Sequence, residues 1–553
     1  MVNLNKLVLT MLVSVSSIIA QDIGTTEIKV VEGFAPSIPD AVRLNENAVF
    51  ADTIKKDRKQ VYDVIDFSLK SDYKTRSLEA AKVKGDRISE LYARRIELGI
   101  GNSLTTKVHA MYSSKRSKTL SYGLIADHFA NQYLFAKNSK NRMMLYGKQI
   151  RSSYIFLTSF EYDRRTALYY DEANNLEEIK FFRNRFAYTK FLLTAISKED
   201  SPQNLKHQTT FFISDMNEFS ENQIHLSSTI NQRINNFPIA LHLKFDDYFN
   251  YNNPDSRFRE EDVKLFTFSP SVLIKRYDIN FDVGVDFDFV SETSRFQFFP
   301  EIKITKEIVK DVILINAGLR HIKDRYTLKS LSDENIYIHS FGMNQSIFGE
   351  QEIYQHYQQL KFSDRNELYF SVRNVLSEEE VLEGGLSYAN VQNFAHFIQI
   401  RTPVYNRFKV DYLNVKELNF KIDYSNKVNN ILSVKINLDY YNWDKEVYYK
   451  PNFICSISAP LTLRNKIKVS SALVYFSKRN SVQYSFDDLP TPYNDTINEL
   501  SSQFLANLGF YYFYSKQLSI SLELNNLTNT KEDLWDGYSQ VGFNGVLGVH
   551  YCF

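Results

Sequence analysis

The sequence predicts an all-β chain, one large antiparallel transmembrane β-barrel of roughly 16–22 strands with a short N-terminal periplasmic extension. Three observations carry this: long period-two alternation, a wealth of aromatic strand formers with few chain breakers, and a C-terminal strand ending on Phe553.

The alternation is clearest from Tyr277 to Phe289. Tyr277, Ile279, Phe281, Val283, Val285, Phe287 and Phe289 alternate there with Asp278, Asn280, Asp282, Gly284, Asp286 and Asp288. Soluble strands usually run about 5–6 residues, whereas a tilted membrane strand needs roughly 9–11. Leu432, Val434, Ile436 and Leu438 repeat the pattern, as do Leu518, Ile520, Leu522 and Leu524. One apolar and one polar face is what a wall between lipid and a watery lumen requires.

Composition agrees. There are 36 Tyr and 42 Phe against 18 Gly and 12 Pro, a balance that favours strands over turns and helices. The 66 basic and 65 acidic side chains nearly cancel, so the chain lacks the overall positive field that a nucleic-acid partner calls for. Cys455 and Cys552 are too far apart in sequence for a C-x-x-C metal clamp, and two cysteines do not make a disulfide scaffold. They read as small apolar strand residues.

In chain order, Lys6, the apolar run from Leu7 to Ile19, and Ala20 form a cleavable secretory signal over residues 1–20. Residues 21–91, with Pro36, Pro39 and a charged run from Lys55 to Lys59, form the periplasmic extension. The barrel occupies residues 92–553, in about 20 strands. After the signal no apolar run reaches the roughly 18 residues of a membrane helix.

Links in the last third alternate between tight turns, near Ser425–Asn430, Arg464–Lys466 and Ser515–Gln517, and longer ones at Asn442–Val447, Lys478–Ile497 and Thr528–Ser539. Short periplasmic turns and longer outer loops produce this rhythm in a membrane barrel. The irregular stretch from Tyr326 to Asn366 is expected to be a long external loop or lid. The basic run from Lys137 to Arg142 is expected to be a solvated exterior loop. Tyr440, Tyr441, Tyr448 and Tyr449 are expected in an interfacial aromatic girdle.

In the lumen, Asp278, Asp282, Asp286 and Asp288 would line one side and could attract cations. Carboxylates in a row do not wrap an ion, so no metal or other cofactor is expected. Enzyme chemistry is not expected either. The ten histidines are scattered without H-E-x-x-H. Gly99-Ile100-Gly101 has Leu104 where a dinucleotide loop has its third glycine, and Gly147-Lys148 has Arg142 where a phosphate loop has its first.

The final strand, read from Gln540 to Phe553, places Phe543, Gly545, Leu547, Val549, Tyr551 and Phe553 on one face. The stretch Leu522 to Phe553, LELNNLTNTKEDLWDGYSQVGFNGVLGVHYCF, is similar to the closing strands of TonB-dependent receptors in Asn525, Asn526, Leu527, Asn529, Trp535, Gly537, Tyr538 and Phe553. Gly101 to Phe129 and Tyr440 to Phe453 resemble parts of the Bacteroidota group of TonB-dependent-receptor-like proteins. The resemblance implies a Gram-negative outer membrane, with Phe553, Tyr551 and Val549 as the C-terminal signal read by the outer-membrane assembly machinery. The family's plug has no counterpart in 21–91, which is too short and lacks its Gly- and Arg-rich signatures. Inward loops, that segment, or a periplasmic or plug-like partner protein would then fill the lumen. Two roles follow: solute uptake or a channel without an evident plug, or a non-transporting subunit that scaffolds an envelope complex.

Overall fold

The computed structural model describes residues 92–115, 117–133, 136–168, 183–198, 205–216, 221–234, 237–250, 262–292, 295–338, 360–402, 405–485 and 494–553. The expected signal at 1–20 and extension at 21–91 lie outside the described residues. Among the described residues, 22 antiparallel strands close into one barrel. Neighbours in the chain are neighbours round the wall. The first strand, Arg94–Gly101, pairs with Thr105–Ser113 on one side and with the last strand, Asn544–Cys552, on the other.

Closure follows from the alternation. At the seam Leu98, Ile100, Leu547, Val549 and Tyr551 stand exposed on the outer face, while Gly99, Val546 and His550 are buried on the inner one. Such an outer band needs hydrocarbon around it, and backbone pairing on both edges leaves no unpaired edge in that medium. The seam is tight. A Cβ on Gly101 would run into the carbonyl oxygen of Gly545 and lie 2.9 Å from Val546 Cγ2, so only glycine lets these strands approach.

The longest alternation is a strand, but its start differs from expectation. The strand is Ile279–Val290, and Tyr277 and Asp278 form the turn before it at φ 51° and 58°. Two positive-φ residues match the twist of a tight hairpin, and a turn residue can extend an alternation by chance. The last strand likewise begins at Asn544 and not at Gln540, whose side chain instead donates to Gln503 Oε1 at 2.8 Å. Lys137 to Arg142 form no loop: they belong to the strand Ala136–Ile150, where Lys140 and Arg142 fall on the face opposite the exposed Met143 and Leu145, toward the lumen. Cys455 and Cys552 are both on strands and both free.

Wall height varies round the barrel. The first strand has 8 residues and the last 9, about the length that spans a bilayer. Away from the seam, Glu380–Thr402 and Tyr405–Asn426 have 23 and 22, so roughly half of that hairpin must leave the membrane. It leaves with a bend. The pairing slips between Val391 and Phe394, with Asn393 at φ 54°, and such a bulge turns a strand pair out of plane. Beyond the bulge Ala395, Phe397, Phe408 and Val410 are all buried, so the extended hairpin packs against something. An outer hairpin, Arg479–Ser485 with Asn494–Leu500, adds to its edge through parallel pairing of Gln399, Ile400 and Arg401 with Gln483, Tyr484 and Ser485.

Candidate functional site at the capped mouth

What packs against the tall hairpin is the chain that follows the strand Ile313–Arg325. It starts with a short helix, α1 (Leu328–Glu334), capped by Thr327: the Ser330 backbone N–H donates to Thr327 Oγ1 at 3.1 Å, and the Thr327 N–H donates to Ser330 Oγ at 3.0 Å. Ser330 thus takes the place usually held by Glu or Gln in this reciprocal cap. The Leu328 N–H donates to Glu221 Oε2 at 2.8 Å, which sets a carboxylate from the wall at the positive end of the helix. Leu328 and Leu331 are buried. The expected loop or lid at Tyr326 to Asn366 is therefore an ordered inward fold at 326–338 and a strand from Phe362; residues 339–359 lie outside the described residues.

This segment meets several strands of the wall. Asn184 Nδ2 donates to the carbonyl oxygens of Ile336 and Ile338 at 2.7 and 2.8 Å. Ile338 forms a parallel bridge to Phe408 of the tall hairpin. Lys329 Nζ reaches Asp163 Oδ2 at 3.2 Å, Arg165 reaches Asp333 at 2.9 Å, and Lys450 pairs with Glu334. A loop merely solvated over the mouth would lack such ties.

The cap has its own aromatic core. Trp535 stands edge-on to Phe397 and Phe408, with ring centroids 5.1 and 5.3 Å away, and lies 5.2 Å from Tyr449. Tyr337 stacks on Tyr538 at 4.0 Å. Offset and edge-to-face pairs each add about 0.5–1.5 kcal/mol beyond area burial. Burial pushes the Tyr337 hydroxyl up to about 12, despite a bond from Asn138. Tyr449 is raised too, first by burial and then by Asp536. These tyrosines are core residues at neutral pH.

The sequence motif before the last strand builds this core. Asn526, at φ 51°, donates through Nδ2 to the carbonyls of Thr530 and Val541 at 2.7 and 3.0 Å, while its Oδ1 accepts from the Thr530 N–H at 3.1 Å. Asn529 Oδ1 accepts from the Phe543 N–H at 2.9 Å. Gly537 at φ 77° turns the chain between Trp535 and Tyr538 and donates its N–H to Asp533 Oδ2 at 2.9 Å. Arg479 and Gln503 clamp the Asp533 carbonyl. Burial raises the Asp533 carboxyl, opposed by its bonds from Ser539 and Gly537. The motif's asparagines hold a loop that pushes Trp535 and Tyr538 into the cap.

Tyr448 and Tyr449 leave the expected girdle for the same reason. Tyr449 is buried in the cap, and Tyr448 stacks on His396 at 5.3 Å. Only Tyr440 of that set is exposed, while Tyr441 stacks on Trp443 at 5.5 Å.

Beneath the cap the wall carries charge. Asp286 and Asp288 are buried, and Asp282 lies opposite Lys303 on the neighbouring strand. Asp278, expected beside them, is exposed in the turn at 277–278. Asp288 accepts from Thr267 Oγ1 at 2.5 Å and sits 3.2 Å from His321 Nε2. His321 stacks on Phe299, 3.6 Å between centroids, and its Nδ1 lies 2.9 Å from Asn366 Oδ1. Further round, Arg320 donates to Glu367 at 2.6 Å, Arg365 to Glu417 at 2.8 Å, and Trp443 Nε1 to Glu417 at 2.9 Å. Acids here face bases on adjoining strands, so their fields largely cancel at a distance. Among the described residues no group of three or more His, Cys, Asp or Glu side chains could hold a metal ion.

Sequence reasoning missed Asn184, Glu221, Phe397 and Phe408, which hold the cap. The available signal was length: two consecutive alternating stretches, each about double a membrane strand, with neither Gly nor Pro at the midpoint.

No protein-family model and no curated protein matches the chain. Solved structures do. The siderophore receptor PirA from Acinetobacter baumannii superposes with a TM-score of 0.58 at 10% identity, covering 84% of this chain and 81% of the other. A mutant of the ferric enterobactin receptor from Pseudomonas aeruginosa gives 0.56 at 9%, covering 83% and 80%. The FrpB iron transporter from Neisseria meningitidis gives 0.58 at 9%, covering 84% and 82%. At such identities the likeness is one of fold: this chain folds as a large closed β-barrel, as they do.

Proposed function

We propose that this chain is an outer-membrane uptake barrel whose outer mouth is closed by its own loops, and that it admits a solute when the cap is displaced. The observation that carries the reading is the closed barrel of 22 strands. A barrel of that size encloses a lumen wide enough to conduct unless something fills it, and transporters of this strand number are filled. The cap closes one end, and the paired charges beneath it are a wall suited to water and polar solutes. The fold likeness to a siderophore receptor and an iron transporter supports solute uptake as the role. Asp282, Asp286 and Asp288 are proposed to line the path without setting its ion preference, because each faces a base or a hydroxyl.

Planar bilayers test this. Pure full-length protein should be almost silent, and a variant with the cap core cut, Trp535→Ala with Phe397→Ala, should give stable open steps. Persistent silence of that variant, with the barrel folded, would overturn the reading. It would favour a filled barrel that scaffolds an envelope complex, for which the many ties between cap and wall are the supporting observation.

A further inference from the structure

We propose that a groove on the outer wall at the periplasmic rim binds an anionic phospholipid, phosphate against Arg94 and Lys115 and acyl chain along the neighbouring rings. The proposal rests on the outer-membrane placement above and adds a specific lipid site to it.

The groove has a volume of about 560 Å³, and its walls include Arg94, Tyr112, Lys115, Leu120, Tyr122 and Phe553. It opens to the lipid side, since Leu120, Tyr122 and Phe553 are all 40% or more exposed on the outer face. It lies at the end of the wall that holds the C-terminus. Aromatic side chains at this depth suit the boundary between headgroups and acyl chains.

The walls are held in place before any ligand arrives. Ser114 Oγ accepts from the Tyr122 N–H at 2.9 Å, and the Ser114 N–H donates to the Tyr122 carbonyl at 2.7 Å. Ser117 Oγ accepts from the N–H groups of Thr119 and Leu120 at 3.3 and 3.1 Å. Tyr112 and Tyr122 sit 6.2 Å apart. Phe553 is tied to Arg94 by two backbone bonds of 3.0 Å, and the Arg94 guanidinium lies 5.5 Å from the Phe553 ring centroid.

Charge selects the occupant. Arg94 and Lys115, both on the groove wall, are exposed and have no carboxylate partner among the described residues. Two cations beside an apolar, lipid-facing cleft match one phosphate with a chain attached. A neutral or zwitterionic headgroup would leave this charge unmatched.

The experiment is native mass spectrometry of the full chain, offered phosphatidylglycerol or phosphatidylcholine with identical chains. Phosphatidylglycerol should stay bound through detergent removal while phosphatidylcholine is lost. In Arg94→Glu/Lys115→Glu, phosphatidylglycerol retention should fall roughly fivefold for each charge changed. If that variant fails to fold, as read by heat-modifiable gel migration, Arg94→Gln/Lys115→Gln gives the same test at smaller amplitude. Equal retention of the two lipids, or a preference unmoved by these changes, overturns the site. So does glycerol phosphate that displaces the lipid as well as phosphatidylglycerol does, since a free phosphate would then suffice. The conductance test reads the barrel independently of this result.

Discussion

The seam and the tall hairpin stand in different parts of one barrel and solve different problems. At the seam, strands of 8 and 9 residues do little more than cross the bilayer, and glycines bring the two chain ends together. In the tall hairpin, strands of 23 and 22 residues cross, bulge at Asn393 and bend over the mouth. The same alternating pattern therefore yields a wall when it matches membrane thickness and a cap when it exceeds it. The two are held differently: the core of the cap is aromatic packing, while the seam rests on backbone pairing.

The comparison breaks most visibly at the cap core. Trp535→Ala should cost about 3–5 kcal/mol of local stability. Limited proteolysis from outside should then cut near 326–338 while heat-modifiable migration of the barrel stays unchanged. Loss of the barrel together with the cap would mean that the two layers are not independent.

Gly101→Val attacks the seam instead. A β-branched side chain against the Gly545 carbonyl should cost about 1–3 kcal/mol, lowering the unfolding midpoint of the whole barrel and leaving cap proteolysis unaltered until the barrel opens. An unchanged midpoint would show that the seam can relax.

Asn184→Ala lies between these, where cap meets wall. Two buried carbonyls lose their donor, an effect of about 1–3 kcal/mol, and hydrogen exchange should quicken at 336–338 alone. Lys450→Ala should do least. Its pairing with Glu334 joins two partly exposed side chains, and such pairs are worth about 0–1 kcal/mol. A large rise in conductance from this change would mean that the ion pair, and not the aromatic core, is the latch.

Particular residues show how far the sequence could be read. Ile279 to Phe289, and Gly545 to Tyr551, announced wall strands because lipid and water impose a strict two-residue period. Tyr277 and Asp278 fitted the period and are nevertheless a turn, since a period carries no mark of where the backbone reverses. Trp535 and Tyr538 stood out by resemblance, but nothing local said that they point into the mouth. Lys137 to Arg142 suggested a loop through charge, although a lumen face accepts charge as readily as solvent does.

By itself, then, the sequence determined the barrel, its lipid face and the end at which its short turns lie. These follow from neighbour-to-neighbour pairing, in which each strand finds its partner next in the chain. Only the tertiary structure decided that the chain at 326–338 folds inward onto the wall and the tall hairpin. The bonds from Asn184 to Ile336 and from Gln399 to Asp536 span 152 and 137 residues. An outer loop that folds inward has the same composition as one left in water until those distant partners meet.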